Sequence, residues 1–80
     1  MTRFRYVMLD DEDNVIEILY ESKEYPDKWK AEQERHEVLL DLNRKYDFYH
    51  YDECPNIEIH FFENGRWRYD SSAVEDFYNL

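Results

Sequence analysis

The stretch Arg3–Glu21, RFRYVMLDDEDNVIEILYE, decides the fold. Phe4, Tyr6 and Met8 alternate with Arg3, Arg5 and Val7. Ile16, Ile18 and Tyr20 alternate with Val15, Glu17, Leu19 and Glu21. Successive side chains of a strand point to opposite faces, so period two on both sides of a polar turn predicts a β-hairpin. If the two apolar sets share a face, paired residue numbers must add to an even value. A three-residue loop, Asp11–Asp13, makes that value 24, so that Tyr6 faces Ile18, Phe4 faces Tyr20 and Arg3 faces Glu21. Arg5 then lies diagonal to Glu17 and Glu21, and each such opposite-charge pair contributes ~0.2–1 kcal/mol. Asp13 and Asn14 supply the turn conformation without a glycine.

The turn carries four acids in a row, Asp10, Asp11, Glu12 and Asp13. A turn needs one or two, and four repel one another. Charge along the rest of the chain is uneven in the same sense. From Lys23 to Lys45 six acids meet six bases, whereas the remainder holds fourteen acids against Arg3, Arg5, Arg66 and Arg68. The whole formal net charge of −10 therefore lies outside the central segment.

That segment reads as a helix. Pro26 suits a first turn, where its missing N–H costs nothing, and Asp27 complements the helix dipole. Ala31, Arg35, Val38, Leu42 and Tyr46 follow one stripe with Leu39 beside it, and the outer charges form a solvated face. Downstream, NIEIHFFENGRWRYD (Asn56–Asp70) predicts a second hairpin. A two-residue Asn64-Gly65 turn pairs Phe61 with Arg68 and puts arginine on the face of Ile57 and Ile59. A bulged Glu63–Gly65 loop pairs Phe61 with Trp67 and Ile59 with Tyr69. The second register joins apolar to apolar and is the expected one. A short strand is expected around Phe48–Tyr51, ended by Pro55. In the closing SSAVEDFYNL, Ser72 and Glu75 fit a capping box that starts a short helix. The expectation is one α+β domain over residues 1–80. It has ββαββ(β)α order, with the central helix on one face of a small antiparallel sheet.

Composition narrows function. Aromatics make up 19% of the chain, too much for a disordered acidic tail. The single cysteine, Cys54, allows no internal disulfide, which points to a reducing, cytoplasmic setting. Acids follow the N-terminal apolar run too soon for a signal peptide, and no run approaches a membrane span. Net acidity disfavours direct nucleic-acid binding and anionic membranes, and favours basic partners or plain solubility.

Catalytic patterns are weak. One glycine builds no phosphate loop, no serine stands in a G-x-S-x-G setting, and Ser71 and Ser72 lie at the helix start. Cys54 with His50 or His60 is the one nucleophile pair on offer. Asp10, Glu12 and Asn14 have calcium-loop spacing, but Val15 stands where that loop needs glycine. His50, Asp52, Cys54 and His60 offer zinc ligand types without a standard spacing. No cofactor, metal or enzyme activity is expected.

Tyrosine and tryptophan anchor interfaces, and aromatic faces and carboxylates both receive cations. The partner-binding candidates are Asp10, Asp11, Glu12, Asp13, Asp47, Tyr49, Tyr51, Asp52, Glu53, Asp70, Glu75 and Asp76. The expected function is inhibition of a nucleic-acid-binding protein or enzyme by presenting DNA- or RNA-like charge to its basic surface, as small acidic phage and mobile-element proteins do. The alternative is an adaptor, antitoxin or subunit that uses the same residues without copying a phosphate track, and a small metal- or Cys-dependent enzyme is the weaker third. The exposed aromatics favour a homodimer and the like charge opposes one.

Overall fold

The structure is a computed structural model that describes residues 1–50 and 52–80. The elements run β1 Arg3–Leu9, β2 Val15–Glu21, α1 Lys28–Tyr46, β3 Asn56–Glu63, β4 Arg66–Ser72 and α2 Ala73–Tyr78. The four strands form one open antiparallel sheet in the order β2-β1-β3-β4, so β1 of the first hairpin pairs with β3 of the second. This is the expected α+β class, in ββαββα order. No described helix is long and apolar enough to cross a membrane.

Pairing of Phe4 with Phe61, Tyr6 with Ile59 and Met8 with Ile57 puts these apolar sets on one face of the sheet. Ala31 and Leu39 of α1, Phe48, and Ala73 of α2 join that face in a single core. The Phe4 ring stacks on Tyr20 at 5.8 Å and lies 5.9 Å from Phe61. Each fully buried ring of this kind contributes ~1.5–3 kcal/mol. The opposite face carries Arg3, Arg5, Val7 and Leu9 of β1 beside Phe62, His60, Glu58 and Asn56 of β3, and no described helix covers it.

The loop of the first hairpin is the expected one. The Asp10 amide donates to the Asn14 carbonyl at 3.0 Å, and Asp13 takes the left-handed conformation at φ 64°. The register beyond it differs. Only Leu9–Val15 keeps the expected pairing, and β2 then inserts one extra residue at Ile16 and another at Leu19. Tyr6 consequently faces Tyr20, Val7 faces Ile18 and Arg5 faces Glu21. The second bulge has a packing cause. Strict alternation sends Leu19 and Tyr20 to opposite faces, whereas the bulge lets both pack against the core under α1.

The second hairpin also departs from expectation. Asn64 (φ 53°) and Gly65 (φ 80°) make a two-residue turn with Phe62 facing Trp67 and Phe61 facing Arg68. Two left-handed residues match the strand twist, and Asn-Gly is the pair that adopts them most readily. The arginine on the apolar face is tolerated because β4 is an edge strand, where Arg68 stays exposed. A bulge between the pairs His60–Tyr69 and Ile59–Ser71 corrects the register inside the strand.

Phe48–His50 is a 3-10 turn and not a strand. Asp47 ends α1 in the left-handed conformation at φ 49°, and the Asn43 side chain accepts the Phe48 amide at 2.8 Å. This drops the Phe48 ring directly into the core. At the other end of α1, Asp27 is the N-cap and accepts from the Lys30 amide at 3.0 Å, with Pro26 one residue outside the helix. Ser72 caps α2 by position but makes no side-chain cap bond, so the capping box does not form.

Candidate partner-binding surface

Strand pairing decides where the acids meet. Leu9 pairs with both Val15 and Asn56, and Glu58 pairs with Ser72. The Asp10–Asp13 loop, the Asp52–Pro55 segment before β3 and the start of α2 after Ser72 therefore share one end of the sheet. Asp11, Glu12, Asp13, Asp52, Glu53 and Glu75 are all exposed there. Among the described residues, none of these six has a basic group in ion-pair range. Asp47 belongs to the same end, since its charge, after burial, is the second cause that raises the pKa of the Cys54 thiol.

Asp10 has a different job. Its carboxylate accepts the amides of Asn14 and Glu12, each at 2.9 Å, and these bonds hold its pKa below the usual range. One acid thus organises the turn and leaves the next three pointing into solvent.

Aromatic rings border this acidic end. Tyr49 is exposed, its ring meets Phe77 edge-on at 4.8 Å, and its carbonyl accepts from the Tyr78 hydroxyl at 3.1 Å. Tyr78 is also exposed and lies one helical turn from Glu75. Two rings are thereby fixed at the surface beside carboxylates, an arrangement that receives arginine or lysine side chains. Tyr51 lies outside the described residues.

Asp70 and Asp76 are placed elsewhere. Both bind Arg35 on the covered face, Asp70 at 2.7 Å, and Ser71 hydrogen-bonds Arg35 at 2.6 Å and Asp76 at 2.8 Å. Glu32 adds a third carboxylate at 3.1 Å. Burial works against the Arg35 charge, but Asp76, Glu32 and Asp70 outweigh it and raise its pKa. The Arg35 carbonyl accepts from the buried Tyr6 hydroxyl at 3.3 Å, so the cluster ties α1, α2, β1 and β4 together. Asp70 and Asp76 are thus paired within the fold, in contrast to the exposed acids of the Asp11–Asp13 and Asp52–Glu53 connections.

The histidines and the cysteine do not converge. His50 bonds Asp47 at 2.7 Å, while His60 lies in the sheet between Arg5 and Glu58. Among the described residues no three His, Cys, Asp or Glu side chains form a metal-holding group.

The far end of the sheet shows a feature that sequence reasoning missed. On the uncovered face the Arg3 guanidinium lies 4.5 Å from the Phe62 ring and 5.1 Å from Trp67, and Arg5 lies 4.5 Å from Trp67. Arg5 also reaches His60 Nδ1 at 3.3–3.4 Å, and His60 Nε2 faces Glu58 at 3.1 Å. The signal was the alternation Arg3-x-Arg5 opposite Phe62 and Trp67, but it needed the β1–β3 register to be read. The six exposed acids gathered at one end of the sheet thus lie opposite the end where Arg3 meets the Phe62 and Trp67 rings. Compared with known families, curated proteins and solved structures, the chain matches none.

Proposed function

We propose that the chain is a small cytoplasmic protein-binding module, not an enzyme, that occupies the basic surface of a nucleic-acid-binding protein and excludes its nucleic acid. The observation that carries this reading is the collection of Asp11, Glu12, Asp13, Asp52, Glu53 and Glu75 at one end of the sheet without internal cations. Carboxylates held that way attract the same lysines and arginines that bind phosphates. These acids gather at one end of the sheet, so they stand in for a short run of phosphates. By class-level analogy, such proteins belong to phages and mobile elements.

A second reading is an adaptor or antitoxin anchored by aromatics, and it is favoured by the exposed, fixed rings of Tyr49 and Tyr78. One experiment separates the two. The immobilised protein captures its partner from a host extract, and the complex is challenged with duplex DNA, RNA and rising salt. The combined variant Asp11→Asn, Glu12→Gln, Asp13→Asn, Asp52→Asn, Glu53→Gln keeps Asp10 for the turn. The charge reading expects this variant to lose capture, and nucleic acid and salt to elute the wild type. A partner that holds its nucleic acid and this protein together defeats the mimic. Loss on Tyr49→Ala with little salt dependence establishes the adaptor.

A further inference from the structure

The uncovered face holds an arginine pair whose donors are not used up. Arg3 and Arg5 lie over the Phe62 and Trp67 rings, which offer their N–H groups no carboxylate or carbonyl acceptor. Among the described residues Arg3 has one long ion pair, to Glu21 at 3.5 Å. Arg5 has, among the described residues, no carboxylate in ion-pair range, and its polar partner is the His60 ring nitrogen. Burial lowers the Arg5 pKa and Glu21 offsets this only in part, as expected of a cation short of a counter-charge.

Scarcity of acids does not explain the vacancy. The chain has twenty acids for ten bases, and Arg35 alone collects three. Nor does the site suit an extended phosphate strand laid across the sheet. Glu21 and Glu58 flank it, and Tyr69 nearby is raised in pKa by burial and by Glu75, Glu58, Asp76 and Asp70. A phosphate strand crossing the sheet meets repulsion on both sides, whereas one carboxylate fits between the arginine forks.

The geometry points to a head-to-tail contact between copies of this chain, in which a carboxylate of the Asp11–Asp13 loop of one copy enters the Arg3/Arg5 pair of the next. Charge complementarity selects this occupant. The loop is exposed and without cations, and its shoulder residues Val15 and Ile16 are exposed apolar side chains that suit the rings beside the arginines. The net charge of −10 does not forbid the contact. Successive acidic ends sit roughly 20 Å apart along the strands, more than two screening lengths of ~8 Å at physiological salt. Opposite charges meanwhile touch. The contact joins two different surfaces, so it propagates and does not close as a symmetric pair.

The inference is independent of the function proposed above, because self-association is measured without the partner. Sedimentation equilibrium at low salt is the test. The wild type should rise above monomer mass with concentration, and salt should reverse the rise. Arg3→Gln/Arg5→Gln and Asp11→Asn/Glu12→Gln/Asp13→Asn should each remain monomeric, with circular dichroism showing both folded. Their equimolar mixture should stop at dimer mass, since one supplies the loop and the other the arginines. Arg5→Lys, which keeps the charge and loses the fork, should weaken association. A wild type monomeric up to about 1 mM, a threshold of roughly −4 kcal/mol, overturns the inference. So does either variant associating alone as the wild type does, or a mixture that stays monomeric.

Discussion

Arg35 and Arg5 lie on opposite faces of one sheet and have opposite surroundings. Arg35, under the helices, holds Glu32, Asp70 and Asp76 and binds four elements together. Arg5, on the open face, rests on a tryptophan ring and meets a histidine nitrogen. The same side chain is a structural hub in one place and an unspent charge in the other. What differs is whether the fold delivered carboxylates to it.

Removing each arginine tests this contrast. Arg35→Met should cost the most, about 2–4 kcal/mol in urea unfolding. That is somewhat below the ~3–5 of a fully buried broken pair, because Asp70 keeps 27% of its side-chain exposure. Adding Asp70→Asn and Asp76→Asn should recover part of the loss. Recovery shows that stranded charge, and not lost packing, was the cause.

A second, intermediate effect comes from the covered face. Burial, with the 2.5 Å bond to Glu34, pushes the Tyr20 hydroxyl up to about 12 from an ordinary 10. The unfolded chain gives up that proton first. Stability is therefore intact below pH 10 and falls as pH climbs from 10 towards 12. Tyr20→Phe should flatten the fall in urea midpoint across that window, and an unchanged slope would assign it to the other tyrosines.

The smallest effect should come from Arg5→Gln, within about 0.5 kcal/mol of wild type, since no ion pair among the described residues is lost. A cost comparable to that of Arg35→Met would show that the stacked pair is structural and erase the contrast.

The sequence carried the elements but not the bulges. Period two at Phe4–Met8 and the stripe Ala31–Tyr46 were legible because they follow from side-chain direction alone. The insertions at Ile16 and Leu19 were not, and the one at Leu19 serves packing under α1 that only tertiary structure supplies. The rule that apolar faces apolar chose the wrong register for Asn64-Gly65, since it ignored how cheaply an edge strand exposes Arg68. Phe48 looked like strand because its neighbours alternate, yet Asp47 and Asn43 set a local cap that turns it inward. For the site, the acids at connections were visible, but their meeting at one end depends on β1 pairing with β3 across more than forty residues of chain. The same non-local pairing hid the removal of Asp70 and Asp76 by Arg35 and the meeting of Arg5 with Trp67.

The extra residues in β2 carry one more consequence. β2 is an outer strand with exposed Val15, Ile16 and Ile18, the profile of a template for fibril growth. Each insertion throws the outward amides and carbonyls out of step with any straight incoming strand. The chain can therefore show greasy side chains along that rim without offering a continuous ladder, so crowding should yield reversible clusters and not amyloid.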